Sequence, residues 1–416
     1  MNYGLIGNPL KHSFSKEIHE SLGKYQYELL ELNEKEFIEF MQKKEFKAIN
    51  VTIPYKQKVI PFLDVISDEA KKINAVNTII NKDGKLYGFN TDYYGFKDML
   101  NHFNIDVSNN DCLILGTGAT SKTVYHVLND LNAKSITFVS RNKSDNCITY
   151  DELDNYKNAD IIVNTTPCEM FPNNLNKVIN IDIFSSLKGV CDVVYNPLRT
   201  NLIVSANERK IANCSGLYML IAQAVYAMVF FLDKTFDKKI IDSFYKKLLS
   251  RKENIVLIGM PSSGKSTIGN LIASKLNREF YDVDEEIKKV IKMEISDYFN
   301  LYGENSFRDL ESKVIESLSL KNSIVIATGG GSILRNSNVK LLKQNGKLYF
   351  LNRSLDLLIT TSSRPLSSNR NDLALRYKER YEKYINASDV IIDGNKDIAT
   401  ITKEICGGYD DETSST

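Results

Sequence analysis

Two glycine-bearing segments hold residue types suited to nucleotide chemistry. Gly259-Met-Pro-Ser-Ser-Gly264-Lys265-Ser266-Thr267 satisfies the pattern GxxxxGK[ST], directly after the apolar run Asn254–Ile258 and before a helical pattern over Ile268–Leu276. In that setting the loop and helix N-terminus, with Ser262 and Thr267 among the contributing positions, turn backbone N–H groups toward phosphate. Lys265 then reaches the β- and γ-phosphates of ATP, and the Ser266 hydroxyl ligates Mg²⁺. The second segment, Leu113-Ile-Leu115-Gly116-Thr-Gly118-Ala119-Thr120, is a strand-to-helix turn of dinucleotide-binding type whose third glycine position is not glycine. The next strand ends in Ser140-Arg141-Asn142-Lys143, at the distance where such sites read the ribose. An acidic residue there favours NAD; Arg141 and Lys143 favour a 2′-phosphate and hence NADP(H), with a basic loop facing water as the open alternative.

The elements that must position these loops follow from periodicity. Apolar, β-branched runs alternate with helical patterns along nearly the whole chain, which predicts α/β architecture with parallel sheets. Expected strands are Ile49–Ile53, Cys112–Leu115, Ser135–Val139, Ile161–Asn164 and Val190–Tyr195. A second series is Asn254–Ile258, Glu279–Asp282, Ile324–Ala327, Leu348–Leu351 and Val390–Ile392. The 416 residues exceed one ordinary core, and two phosphate turns imply two sites. The boundary is expected near Ser250–Glu253, after an amphipathic helix over Lys234–Ser250, with no Gly/Ser- or Pro-rich linker and therefore close or rigid docking. The small, polar, acidic end Gly407–Thr416 reads as a disordered tail.

Bulk properties exclude several classes. The formal net charge is +1, from 53 basic and 52 acidic side chains. That balance gives no reason to expect a nucleic-acid or membrane-surface partner. Six scattered cysteines without a CxxC pair argue against structural zinc and for reduced thiols. The chain begins without a signal-peptide pattern, and the apolar run Leu217–Leu232 carries Gln223 and reads as a buried helix. A cytoplasmic enzyme is expected; the oligomeric state is not legible.

Around the phosphate loop stand Phe280-Tyr-Asp282-Val-Asp284, Gly303-Glu304-Asn-Ser-Phe307-Arg308-Asp-Leu-Glu311, Ala327-Thr-Gly329-Gly330-Gly331, Arg364-Pro365-Leu366 and Glu379-Arg380-Tyr. In this order residues 253–406 resemble the shikimate kinases. The resemblance implies that Asp284 holds and deprotonates the acceptor hydroxyl, and that Asp282 anchors the Mg²⁺ shell. It puts Arg308 and Arg380 on the substrate carboxylate, Gly330 and Gly331 against the ring, and Arg364 on the transferred phosphoryl group. Glu311 is expected to hold Arg308 rather than touch substrate. One departure is that Leu357–Ser363 carries no basic residue where the family has an arginine. The motif set Gly4–Ser15, Asn50–Lys56, Ala75–Thr78, Gly88–Gly95, Asn164–Thr166, Asp192–Pro197 and Gly216–Gln223 resembles shikimate dehydrogenase over residues 1–250.

That second resemblance implies a Lys56–Asp92 pair for proton donation and charge positioning at a ring carbonyl. It puts Ser13 and Ser15 on the substrate carboxylate, and Thr52, Asn77, Asp92 and Gln223 on ring hydroxyls, with Tyr195 closing the site. Thr52 and Asn77 are equally compatible with turn or strand-end roles. Gly116, Gly118, Ala119, Thr120, Ser140, Arg141, Lys143, Thr166 and Gly216 fall to the cofactor, while His12 is expected only to orient the serine loop. Lys16, Ala119 and Lys122 depart from the family's usual proline, glycine and arginine.

The fold implied is a two-lobed dehydrogenase (catalytic lobe 1–95 plus 215–250, Rossmann-type NADP lobe 96–214), then a P-loop kinase domain over 251–406 with a five-stranded parallel sheet, then a tail from 407. The joint expectation is reduction of 3-dehydroshikimate to shikimate followed by its phosphorylation to shikimate 3-phosphate. Alternatives are a quinate-type dehydrogenase using NAD, and a C-terminal half retained as a regulatory nucleotide-binding module.

Overall fold

The computed structural model describes residues 1–10, 14–144, 147–358 and 370–409. They form two compact units, Met1–Tyr245 and Lys246–Thr416. The division lies within the helix Lys239–Lys252. That helix begins later than periodicity suggests, with the Asp237 carboxylate accepting from the Lys239 N–H at its start.

The first unit contains two six-stranded sheets. One runs Glu28–Glu31, Tyr3–Gly7, Ala48–Val51, Thr78–Lys82, Lys85–Phe89, Val65–Ile66 and is mixed, not parallel as the sequence suggests. The cause is local: Asp83 (φ 52°) and Gly84 (φ 82°) both sit in the left-handed region and close a two-residue hairpin between Lys82 and Lys85. An Asp-Gly pair is the favoured sequence for that turn. The other sheet is parallel throughout, in the order Ala212–Ser215, Gly189–Asp192, Ile161–Asn164, Asp111–Leu115, Ser135–Ser140, Cys147–Thr149. Strand order switches sides between Asp111–Leu115 and Ile161–Asn164, the position where such sheets open a ligand crevice.

The second unit has five parallel strands, ordered Glu279–Asp282, Ile324–Ala327, Asn254–Ile258, Gly346–Asn352, Val390–Asp393. The central strand Asn254–Ile258 is wholly buried, with apolar layers on both faces. Such a continuous apolar run is what a doubly covered parallel strand requires. At the far end the expected tail is corrected. Tyr409 is buried, its hydroxyl 3.0 Å from that of Tyr349 and its ring under the Arg278 guanidinium. An aromatic side chain that can bury most of its surface and satisfy its hydroxyl packs rather than dangles. The expectation for residues 410–416 falls outside the described residues.

Candidate functional site

In the first unit a cavity of about 260 Å³ opens between the ends of both sheets. Lys56 and Asp92 meet on its wall, Nζ to Oδ2, at 2.6 Å. Lys56 follows the Ala48–Val51 strand through a turn closed by the Tyr55 N–H to the Thr52 carbonyl, and its own carbonyl accepts from Val76. Asp92 is the second residue of the helix Thr91–His102, which Asn90 caps by accepting from the Tyr93 N–H. A carboxylate in a first helical turn is stabilised by the helix dipole. Gly95 lets that helix meet the helix Leu217–Leu232 closely, since a β-carbon there would lie 2.8 Å from the Met219 carbonyl oxygen. This approach brings Gln223 to the same cavity.

Ser15, Thr52, Asn77, Tyr195, Thr120 and Gly216 also line it. Burial raises the Tyr195 hydroxyl above its ordinary range, and the ring lies against Phe14. Ser13 and His12 lie outside the described residues.

A buried polar chain beneath the cavity escapes motif reading. The Tyr27 hydroxyl donates to Asn50 Oδ1 at 2.7 Å, and Asn50 Nδ2 donates to Thr78 Oγ1 and to the Asn77 carbonyl. Asn77 Oδ1 in turn accepts from the Thr91 N–H at 2.7 Å. Both readings of Asn77 are therefore compatible with its place: it orders the start of the Asp92 helix while still lining the cavity. Beneath Tyr27, the fully buried His19 ring stacks at 4.1 Å, and burial lowers its imidazole from 6.5 to about 3. The signal was present as Asn50 inside a quoted motif, but its partners are distant in sequence.

The dinucleotide residues lie along the crevice of the parallel sheet. Gly116 has φ 108°, and a β-carbon there would sit 2.9 Å from Thr165 Oγ1. Gly118 precedes the helix Ala119–Asp130, whose N-terminus has no side-chain cap. Backbone N–H groups at an uncapped, glycine-opened N-terminus fit a pyrophosphate. Thr166 donates its hydroxyl to Asn164 Oδ1, and Ser140 Oγ accepts from the Asn142 N–H. Arg141 is exposed, whereas Lys143 is paired with Glu152 at 2.5 Å. Asp192 is completely buried and organises the segment bearing Tyr195. It accepts from Asn164 Nδ2, the Val194 N–H and the Thr200 hydroxyl, while burial pushes its carboxyl up to about 7.

In the second unit a cavity of about 550 Å³ faces the phosphate loop. Lys265 donates to the carbonyls of Gly259 and Met260 at 2.9 and 2.8 Å, folded back on its own loop. Ser266 Oγ lies 2.5 Å from Asp282 Oδ2, and Asp282 also caps the helix Val283–Ile291. A hydroxyl and a carboxylate converging at a phosphate loop fit Mg²⁺, which takes few protein oxygens and fills its shell from phosphates and water. Asp284 lines the same cavity.

Arg308, 8% exposed, donates to Glu311 Oε2 at 2.8 Å and to Glu304. Glu311 also accepts from Ser332 at 2.6 Å, so it does hold the arginine in place. Arg380, 5% exposed, donates to the Gly330 carbonyl at 2.9 Å and lies beside the Tyr384 hydroxyl; burial lowers its pKa, and Arg376 and Arg308 act in the same direction. Arg308 is thus matched by two carboxylates, whereas Arg380 has no carboxylate partner among the described residues and leaves positive charge for an anion.

The triple glycine serves the protein's own side chains. A β-carbon at Gly329 would lie 2.8 Å from Asp284 Oδ1, one at Gly330 2.8 Å from Pro261, and one at Gly331 2.3 Å from both terminal nitrogens of Arg308. Gly303 breaks the long helix Ile295–Ser319, with φ 79° and ψ 172°, a conformation only glycine adopts readily. Arg364 lies outside the described residues. Among the described residues no helix is long and apolar enough to cross a membrane, and no group of three or more His, Cys, Asp or Glu side chains is placed to hold a metal.

Comparison with known proteins relates the two ends of the chain to two families. A family model described as shikimate dehydrogenase substrate binding domain matches residues 5–79, and one described as shikimate kinase matches residues 261–407. A shikimate dehydrogenase (NADP(+)) of Clostridium perfringens is 38% identical over 267 residues, 60% of this chain and 98% of that enzyme. Its counterpart in Clostridium beijerinckii is 39% identical over 260 residues, 58% of this chain and 96% of that enzyme.

Among solved structures, a chorismate mutase/shikimate 5-dehydrogenase fusion protein from Clostridium acetobutylicum aligns with TM-score 0.56 and 36% identity, over 59% of this chain and 96% of that one. Shikimate 5-dehydrogenase from Thermus thermophilus, solved with NADP(H) and shikimate, gives 0.54 and 25%, over 59% and 98%. The chain belongs to the shikimate dehydrogenase family and carries, after that enzyme, a domain of the shikimate kinase family.

Proposed function

We propose that the first unit reduces 3-dehydroshikimate to shikimate with NADPH, and that the second phosphorylates shikimate with ATP to give shikimate 3-phosphate. The observation that carries this reading is the Lys56–Asp92 pair, held at 2.6 Å on a cavity whose other polar groups are hydroxyls and amides among apolar side chains such as Leu5, Val51 and Met219. Reduction of a ring ketone needs a proton for the forming alkoxide. Lys56 polarises the oxygen and donates that proton, while Asp92 fixes the ammonium and contacts the neighbouring hydroxyl. Ser13 and Ser15 take the carboxylate; Thr52, Asn77 and Gln223 take hydroxyls; Tyr195 closes over the ring. Gly116, Gly118, Ala119, Thr120, Thr166 and Gly216 would hold the dinucleotide, with Ser140, Arg141 and Lys143 toward its 2′-phosphate, and the nicotinamide would supply hydride. Lys143 must leave Glu152 to take part. Residues 1–95 with 215–250 form the substrate lobe in this reading, and 96–214 the cofactor lobe.

In the second unit Asp284 takes the proton of the acceptor hydroxyl. Lys265 and Arg364 neutralise charge on the transferred group, and Arg308 and Arg380 clamp the carboxylate. Ser266 and Asp282 would hold Mg²⁺, which shields the phosphate oxygens. The two units thus act consecutively on one ring position, where the carbonyl is reduced and its new hydroxyl phosphorylated.

A coupled assay tests the reading: 3-dehydroshikimate with NADPH or NADH, then ATP and Mg²⁺, with quinate as a parallel substrate of the reverse reaction. NADPH oxidation followed by shikimate 3-phosphate formation is expected. Preference for NADH and quinate would overturn the first assignment. ATP binding without phosphoryl transfer to shikimate would overturn the second.

A further inference from the structure

In the second unit a guanidinium lies beside the phosphate loop with no side-chain partner among the described residues. Arg353 follows the strand Gly346–Asn352, the neighbour of the strand Asn254–Ile258 that runs into that loop, with Phe350 in register with Ile258. Its Nη1 lies 4.0 Å from the point a β-carbon would occupy on Gly264, the residue preceding the helix Lys265–Leu276. The backbone beneath it is pinned. The Arg353 nitrogen lies 3.0 Å from the corresponding point on Gly394, and Asn395 holds the next residue, Ser354, by two hydrogen bonds of 2.9 and 2.8 Å. The side chain is partly exposed, yet its Nε is buried and has no hydrogen-bond partner among the described residues. No carboxylate pairs with it among those residues either.

Two other arginines of this unit are answered, although the Arg376 Nε is also buried without a partner among the described residues. Arg308 has two carboxylates, and Arg278 has the carbonyls of Glu253 and Ser250. A helix N-terminus carries positive partial charge, so a guanidinium stationed beside it is repelled unless an anion lies within reach of both. Guanidinium nitrogens match phosphate oxygens in geometry and stay charged at any working pH.

We propose that Arg353 contacts the phosphate chain of the nucleoside triphosphate, as a phosphate-binding side chain additional to Lys265. The proposal rests on reading the second unit as ATP-dependent and extends it to a residue that no motif on the page contains. A triphosphate at the loop gives the unpaired guanidinium its counter-charge and removes the repulsion from the helix end.

The test uses the full-length protein, with Arg353→Ala and Arg353→Lys, titrated calorimetrically with ADP and assayed for KM of ATP, kcat and KM of shikimate. Loss of one charge-assisted contact predicts that ADP binding and the KM for ATP weaken about tenfold in Arg353→Ala and recover in part in Arg353→Lys. KM for shikimate and the thermal midpoint are expected to stay as in wild type, and the salt dependence of ADP binding to become shallower.

Unchanged ADP affinity in Arg353→Ala overturns the proposal. So does an equal loss in both variants together with lost discrimination of ATP from GTP, which assigns the arginine to the base. A parallel fall in thermal midpoint and rise in KM for shikimate overturns it in favour of a structural role. A wild-type protein that binds ADP but phosphorylates no shikimate refutes only the acceptor assignment, and the ADP titration then still decides the role of Arg353.

Discussion

The two cavities are built on opposite electrostatic plans. In the first unit the ion pair on the cavity wall, Lys56–Asp92, is already made, and the other polar groups of the wall include hydroxyls and amides above a neutral buried network from Tyr27 to Thr91. In the second, two arginines buried to within a tenth of their surface face the cavity, and Lys265 rests on its own loop carbonyls. Ring hydroxyls are recognised by satisfying each polar group at little reorganisation. A triphosphate and a carboxylate need concentrated positive charge, which the protein holds in check until they arrive. Neutral preorganisation should therefore make the first site sensitive to shape and to protonation of its support. Charge concentration should make the second sensitive to whatever displaces an arginine.

The largest effect expected is a clean separation of the two activities. Lys56→Ala should lower NADPH oxidation about a thousandfold, the scale of lost acid catalysis, while phosphorylation of added shikimate continues. Asp284→Asn should do the reverse, with a similar loss of phosphoryl transfer. Loss of both activities in either variant would show that the two cavities are not independent.

A smaller effect is expected at the triple glycine. Gly331→Ala would bring a methyl group against Arg308, which cannot swing away because Glu311 and Glu304 hold it. KM for shikimate should rise about tenfold, and overpacking should cost the second unit about 1–3 kcal/mol in denaturant unfolding, with the dehydrogenase unaffected. A wild-type KM in this variant would mean that Arg308 does not touch the substrate.

The subtlest test concerns the neutral support of the first site. His19 is held uncharged when folded, with its imidazole at about 3 against 6.5 when unfolded. Unfolding therefore takes up a proton between those values. The His19 contribution is complete above pH 6.5 and is lost as pH falls, by about 1.4 kcal/mol per unit. Asp192, pushed up to about 7 by burial, carries the opposite sign over much of this window, so the measurement must be a difference. The stability gap between wild type and His19→Phe should change with that slope between pH 6 and pH 4. A pH-independent gap would place the charge of His19 outside the balance.

Much of this molecule is written locally. The run Asn254–Ile258 followed by glycine, lysine and serine, and the run ending at Leu115 followed by Gly116, each specify strand, turn and helix within a short segment, because hydrophobic period and glycine torsion are local properties. The same locality made both glycine turns readable and hid nothing essential about sheet type in the second unit. The mixed first sheet was legible in principle too, since Asp83-Gly84 is a turn signal.

What tertiary structure alone decided is which long polar side chains meet. Lys56 and Asp92 are brought together by a strand-end turn and a helix start, whereas Lys143, equally basic and equally well spaced, is drawn to Glu152. Asn50 becomes the centre of a buried network, Tyr409 leaves the expected tail to pack on Tyr349, and Arg353 is set beside Gly264. Pairing of charges depends on burial and on approach between segments far apart in the chain, and no local pattern encodes either.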